Sequence, residues 1–406
     1  MVLRKNIAVI GGGPAGLMAA EVLAQDGHGV TVYDRMPSPA RKLLIAGRGG
    51  LNLTHSEPLP AFISRYGAAA RWIGPYIEAF PPQALRTWCE GLGQETFVGS
   101  SGRVFPRSMK AVQLLRAWLQ RLDSLGVVYA SRHIWHGWKG DKLYFTNAAG
   151  EEVLVMPDAT LLAMGGASWP RLGSDGAWVE PVAAAGSKVA PLRPSNCGFI
   201  VPWSEHFGSR YGGIPLKPVA VRYGDVVRQG EAMITRQGIE GGVIYAHSST
   251  LREAIAANGH ATILLDLRPS ITREALAKKL RAPRNGKSLS TYLGNAGFSP
   301  VITGLLRECT PPEALRGADG DVLAGLLKAL PLTLTATSCI DRAISSAGGI
   351  RLDELTDDLM LKSRNGVFAA GEMIDWEAPT GGYLLQGCYS TAVAAAEGIA
   401  RYVCNR

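Results

Sequence analysis

Three glycines and an acid carry the first chemistry this sequence offers. Gly11, Gly13 and Gly16 stand in GxGxxG register within "NIAVIGGGPAGLMAAEVLAQDGHGVTVYDR", and Asp34 follows 18 residues after Gly16. The first glycine permits a tight turn, the second lets backbone approach a pyrophosphate, and the third lets a helix pack closely on a strand. Pro14 and Ala15 open that helix, where the missing N–H of proline costs nothing. The helix N-terminus then turns free N–H groups and a partial positive charge toward phosphate. Asp34, with Arg35 beside it, can accept hydrogen bonds from an adenosine ribose, and an acid there repels a 2′-phosphate, so the site should not hold NADP. The unit predicts a dinucleotide site and by itself does not separate NAD from FAD.

The other end of the chain separates them. "NGVFAAGEMIDWEAPTGGYLLQGC" reads as a turn, a buried strand over 367–370, the pair Gly371-Glu372, and a glycine loop entering a long helix of small residues. Glu372 can bond the hydroxyls of a ribityl chain. Gly381 and Gly382 leave room for a flat ring over backbone, and the helix N-terminus would favour negative charge on a reduced flavin. A nicotinamide-dependent dehydrogenase normally completes its cofactor site within the first half of its chain. Both termini therefore make sense around one FAD. No second GxGxxG with a strand and helix around it occurs, so NADH or NADPH would act only as a transient reductant, or the substrate itself would reduce the flavin.

These residues need elements to position them. Ile7 to Ile10 reads as a central parallel strand, apolar without alternation. Leu17, Ala20, Val22, Leu23 and Ala24 give a helix that packs heavily, and Val30 to Tyr33 is the next strand, closed by Asp34. Residues 83–125 read as largely helical, with Ala111, Leu115, Trp118 and Leu122 at helical spacing and Ser108 as N-cap. Residues 126–156 read as an antiparallel meander. "ATLLAMGG" returns to the parallel sheet, its Gly165 and Gly166 could let backbone pass close to the adenosine half of the cofactor, and Ala163 and Gly165 are counted in the expected cofactor site. After Pro191 short strands with frequent turns suggest a barrel-like insert, then a helical piece. The expected fold is α/β: a Rossmann-like FAD-binding domain (parallel sheet plus β-meander) in two parts, 1–190 and 336–406. Between them lies an inserted substrate domain, 191–335, β-rich over 191–268 and helical over 269–330.

Composition limits the partners. The chain has 406 residues, 47% of them hydrophobic, 49 glycines and a net charge of +8. No run of about 18 apolar residues suggests a membrane span. The basic residues are scattered, with one mild cluster at 278–287, which reads as a solvated helix end and argues against a nucleic-acid surface. The six cysteines fit no zinc spacing and no disulfide framework, so free thiols in a reducing cytoplasm are expected, with no metal. The partner expected is a small-molecule substrate; the oligomeric state is not legible.

Four separated stretches resemble the BaiN/RdsA-type family of FAD-dependent oxidoreductases, within the glutathione-reductase-like class. They are "RKLLIAGRGGLNLTH", "SGRVFPRSMKAVQLLRAWL", "LLAMGGASWPRLGSDG" and "AISSAGGIRLDEL…GVFAAGEMIDWEAPTGGYLLQ". The resemblance spans nearly the whole chain and implies FAD chemistry on an organic substrate. It adds Lys42, Gly47, Gly49, Leu384 and Leu385 to the expected cofactor site. Two departures stand out. The family's arginine is displaced to Arg48 and its cysteine is replaced by Leu51, so no thiol is available there. Arg236 and Glu240 stand where the family has histidine and serine.

The residues expected near the reacting atoms are Arg48, which could pair with phosphate or a substrate carboxylate, and Tyr383 and Gln386 on the substrate side of the ring. Asn52 and Thr54 could bond the ring edge, or simply hold a turn. His55 has a useful pKa for acid or base work, and Cys388 packs as a small hydrophobe. The expected function is hydride transfer between flavin N5 and a small organic molecule. An RNA-modifying flavoprotein and a flavin-binding sensor without turnover are the alternatives.

Overall fold

The computed structural model describes residues 4–47 and 49–405, in two compact units. The first comprises Met1–Pro194 and Ile340–Arg406, the second Ser195–Cys339. In the first unit lie strand β1 (Asn6–Ile10), helix α1 (Pro14–Gln25), β2 (Gly29–Asp34), α2 (Arg41–Ala46), β3 (Val128–Ser131), β4 (Ala159–Leu162), β5 (Val367–Ala369) and α3 (Tyr383–Cys404). The five strands form one parallel sheet in the order β5-β4-β1-β2-β3. Its register pairs Ile10 with Tyr33 and Leu162, and Leu162 with Ala369. Ile7 to Ile10 and all of β4 and β5 are buried, as apolar residues without alternation require of central parallel strands.

Helices α1 and α3 pack against each other. Both carry small buried residues: Ala15, Gly16, Ala19 and Ala20 on α1, and Ala392, Ala395 and Ala396 on α3. The first and last helices of the chain are thus joined in one core.

The structure corrects three sequence expectations. Residues 83–125 are not helical throughout. Thr96–Val98 and Arg103–Pro106 pair as an antiparallel ribbon, which also takes Thr54–His55 as a third strand. Short β-branched and aromatic runs there gain more from cross-strand pairing than from helix. Ser108 does not cap the following helix, which starts at Ala111 with Lys110 before it and no side-chain cap. The Ser108 hydroxyl contacts the Lys110 backbone instead, at 3.4 Å. The meander begins later than expected, because Val128–Ser131 joins the parallel sheet beside β2. The antiparallel strands are Ile134–Lys139, Lys142–Thr146 and Glu152–Val155.

The second unit holds a seven-stranded antiparallel sheet and five helices between Arg273 and Lys328. Its two edge strands are Leu330–Leu334 and Ala336–Thr337, with only Thr335 between them. One chain segment therefore serves both edges, and the sheet curls in a barrel-like manner, which leaves little open edge. No helix among the described residues is long and apolar enough to cross a membrane.

Candidate functional site

The glycine turn is built as its spacing predicts. Gly11 has φ of +108°, and a Cβ there would lie 2.4 Å from the Ala163 carbonyl oxygen, so β1 and β4 meet at this turn only without a side chain. A Cβ on Gly16 would lie 1.9 Å from the Gly11 oxygen, which is the close helix–strand packing expected. At Gly13 nothing lies within 4 Å of a Cβ position, and its φ is an ordinary −82°. That glycine leaves open space rather than avoiding a neighbour.

The space is a pocket lined by Gly11, Gly13, Pro14 and Ala15 from the turn, and by Asp34 and Arg35 from the end of β2. Lys42 of α2, Ala163 and Gly165 after β4, and Glu372 after β5 complete it. Ten of the sequence-predicted cofactor residues thus converge, from segments at both ends of the chain.

At one end of the pocket Asp34 Oδ2 accepts from the Gly12 N–H and Oδ1 from the Met36 N–H, both at 2.7 Å. Burial pushes the Asp34 carboxyl above its ordinary range, against the opposing pull of those two N–H groups and of Arg35 and Arg41. At the other end Lys42 Nζ donates to Glu372 Oε2 at 2.9 Å and to Ser168 Oγ at 2.6 Å. Glu372 Oε1 accepts from the Ser346 N–H at 2.9 Å, and Oε2 also from the Gly166 N–H at 3.4 Å. Cys388 lines the pocket as well, and burial, then Glu372, pushes its thiol up, which fits a packing role.

Several lining residues were not singled out from sequence. Gly12 is one, although "GGGPAG" announced it. Arg41 and Ser174 are others, and each has a buried polar atom without a hydrogen-bond partner, Arg41 Nε and Ser174 Oγ. Asp175 also lines it and forms an ion pair with Arg35.

Other predicted residues lie outside the pocket lining. Gly16, within α1, faces the Gly11 turn and Val9, Gly47 is tucked against Ala111, and Gly49 is exposed. Arg48 lies outside the described residues. Gly371 is buried against Ala15, its N–H donating to Thr391 Oγ1 at 3.0 Å. Gly381 and Gly382 have φ of +134° and +97°, and a Cβ on Gly382 would lie 2.6 Å from Thr54 Cα. The N-terminus of α3 therefore rests on the strand that carries Thr54. The Thr54 hydroxyl and Asn52 Oδ1 are buried without a partner. Leu384 and Leu385 follow on the first turn, half-buried.

Tyr383 is buried, with its ring centroid 4.8 Å from Phe62 and 5.4 Å from His55. Its hydroxyl donates to Glu57 Oε1 at 2.6 Å, and burial together with that carboxylate raises its pKa. His55 Nδ1 accepts from the Glu57 N–H at 3.1 Å, which assigns the ring proton to Nε2, 3.0 Å from the Ser101 carbonyl. Both ring nitrogens are engaged. Gln386 is fully buried rather than facing the pocket: Nε2 donates to the Phe80 carbonyl at 2.8 Å and to Ser390 Oγ at 3.1 Å. A glutamine one turn into a helix that packs on both sides has no route to the surface. In the other unit, Arg236 is exposed and Glu240 ends the strand Gly238–Glu240.

The donor set fits FAD. An ammonium, an unpartnered guanidinium nitrogen and the N-terminus of α1 suit a pyrophosphate, and the Asp34 carboxylate suits a ribose. A glycine with open space above it lets the phosphates approach backbone.

The fold and this donor set define an FAD-dependent flavoprotein of the oxidoreductase class. The chain belongs to the family described as HI0933-like protein Rossmann domain, whose model matches residues 5–398. It is 26% identical over 429 aligned positions to the 3-dehydro-bile acid delta(4,6)-reductase of Clostridium scindens, covering 96% of this chain and 98% of that one. It is 22% identical to the ribosomal RNA dihydrouridine synthase of Haemophilus influenzae, covering 97% of this chain and 98% of the relative. Among solved structures, 3-ketosteroid-delta4-(5alpha)-dehydrogenase from Rhodococcus jostii shares the fold with a TM-score of 0.51 at 14% identity, over 99% of this chain and 97% of that one. The 3-ketosteroid delta1-dehydrogenase from Sterolibacterium denitrificans does so at 0.52 and 12%, over 98% and 99%.

Proposed function

We propose that this protein saturates, or in reverse forms, a carbon–carbon double bond conjugated to a carbonyl in a small organic substrate. The observation that carries the reading is the pocket in which Asp34, Lys42 and Glu372 converge. Bound FAD would supply hydride at flavin N5. The chain's residues hold it. Asp34 takes the adenosine ribose hydroxyls, and Arg41, Lys42 and the first turn of α1 take the pyrophosphate. Glu372, oriented by Lys42 and two backbone N–H groups, takes the ribityl chain. The unpartnered Thr54 hydroxyl and Asn52 Oδ1 bond the ring edge beside the N-terminus of α3.

The substrate class rests on the two relatives. One name describes reduction of delta(4,6) bonds in a 3-dehydro bile acid, the other conversion of uridine to dihydrouridine. Both reactions saturate a double bond next to a carbonyl. A small-molecule substrate is favoured over RNA because the more similar relative acts on one and the basic residues of this chain are scattered.

Purified protein tests the reading. A yellow preparation that releases FAD on denaturation, and whose anaerobically reduced flavin is reoxidised by an α,β-unsaturated steroid ketone, supports it. Reoxidation by uridine-containing ribosomal RNA and not by any enone would move the assignment to RNA. Reduced flavin that neither oxygen nor any acceptor reoxidises would leave a sensor. NADH and NADPH are tested in the same cuvette as transient reductants.

A further inference from the structure

We propose that residues 165–178 form a latch over the cofactor pocket, with Ser174 as a cofactor-contacting hydroxyl and the Arg35–Asp175 ion pair as the catch. The proposal rests on the reading of that pocket as an FAD site.

The loop is closed at its base. It starts at Gly165, shortly after β4, and comes back to that residue, since Trp178 Nε1 donates to the Gly165 carbonyl at 2.8 Å. Between these two points, Leu172, Gly173, Ser174 and Asp175 line the pocket. The far side of the loop is tied to the residues that follow β2. Asp175 pairs with Arg35, and Gly173 lies against Met36 so closely that a Cβ would come within 2.8 Å of Met36 Cγ. A closed loop tied at its base and pinned at its tip has the form of an Ω-loop, a form frequently used for function.

Two observations point to a ligand and to a movement. Ser174 lines the pocket and is 7% exposed, and its Oγ is buried without a partner. Buried hydroxyls in folded proteins nearly always have one, so this one is ready for an acceptor on the bound group. The catch, in contrast, faces solvent: the side chains of Arg35 and Asp175 are 36% and 27% exposed. A pair at that boundary is weak and screened by salt, and it opens readily. The loop also holds residues at left-handed φ, Gly165, Gly173, Gly176 and, unusually for a bulky aromatic, Trp169 at +62°. Trp169 keeps this conformation with its N–H directed at the Asp341 carbonyl, 3.2 Å away. FAD leaves the pocket when the Arg35–Asp175 pair separates and the loop tip lifts.

The test is the rate of FAD loss from the holoprotein, followed by the rise of free flavin fluorescence in the presence of excess scavenging apoflavoprotein. D175N and R35Q should each raise the dissociation rate about threefold at low salt, the effect of losing one exposed ion pair. Wild-type loss should speed up with added salt, and both variants should lose that salt dependence. The charge swap R35D/D175R should restore slow loss, which separates the catch from damage to folding. S174A should weaken FAD binding by about threefold to tenfold, the effect of one hydrogen bond. Unchanged dissociation in D175N, or a swap no slower than the single variants, overturns the catch; unchanged affinity in S174A overturns the contact. In both cases retained FAD leaves the pocket assignment standing. A wild-type protein that takes up no FAD overturns the assignment itself.

Discussion

Lys42 Nζ lies 2.9 Å from Glu372 Oε2, joining α2 near the start of the chain to the turn after β5 near its end. Glu372 is 7% exposed and Lys42 24%. The pair is therefore more protected than most of the ion pairs on this molecule, and Ser168 holds the ammonium from a second side. Replacing Lys42 by Met leaves a buried carboxylate without its cation. The expected result is a loss of about 3 kcal/mol in stability together with loss of bound FAD. Glu372→Gln keeps an oxygen for the Ser346 N–H and should cost less, about 1 kcal/mol. Urea unfolding and flavin content of the purified variants check both. Equal stability of Lys42→Met and wild type would remove the pair from the structure of the pocket.

Gly13 and Gly16 should respond in opposite ways to the same methyl group. Gly13→Ala meets no protein atom, so folding stability should change by less than about 1 kcal/mol, while FAD binding falls because the methyl occupies the space left for phosphate. Gly16→Ala would press against the Gly11 oxygen and push α1 from β1. That overpacking should cost roughly 3 kcal/mol or more. Thermal unfolding of the two apoproteins, compared with their FAD titrations, checks the contrast.

Asp34→Ala should weaken FAD binding by about ten- to a hundredfold, the effect of removing hydrogen bonds to a charged acceptor. The pH dependence follows from its raised pKa. The carboxyl begins to protonate at a pH above its ordinary 3.8, and the protonated form is the poorer acceptor. FAD affinity should therefore decline on acidification before pH 3.8 is reached, and Asp34→Ala should flatten that decline. Fluorescence titration at several pH values measures it.

His247, in the inserted unit, gives a stability prediction. Burial, then the positive charge of Arg228, holds the ring below its ordinary 6.5, and the Val221 carbonyl opposes this only in part. Between the folded value and 6.5 the unfolded chain binds a proton that the folded chain does not. Stability then falls as pH drops below 6.5, by up to about 1.4 kcal/mol per pH unit. His247→Gln should remove this slope. Melting temperatures across pH 5 to 7, a range on the order of the histidine transition, will show it or not.

Much of the cofactor cradle could be read from the chain because its parts are backbone devices. A GxGxxG turn after an apolar strand and an acid at the end of the next one have few other uses, and Gly11, Gly13 and Asp34 lie where that logic puts them. What could not be read depended on long-range contacts. Nothing in the neighbourhood of Asp175 announces Arg35, 140 positions away. Gln386 looked available because of its polarity, yet the helix that bears it is enclosed, and its amide serves the Phe80 carbonyl. The ribbon formed by Thr54–His55, Thr96–Val98 and Arg103–Pro106 was hidden for the same reason: each strand is too short to be recognised before it has its partners.

The parallel sheet takes four strands from the first part of the chain and one edge strand, β5, only after the inserted unit has passed. On the ribosome, the glycine turn and Asp34 emerge before the inserted unit, but Glu372 and α3 emerge after it. Retention of the flavin therefore waits for the segment that follows the insert, and nascent chains stalled inside the insert should be colourless.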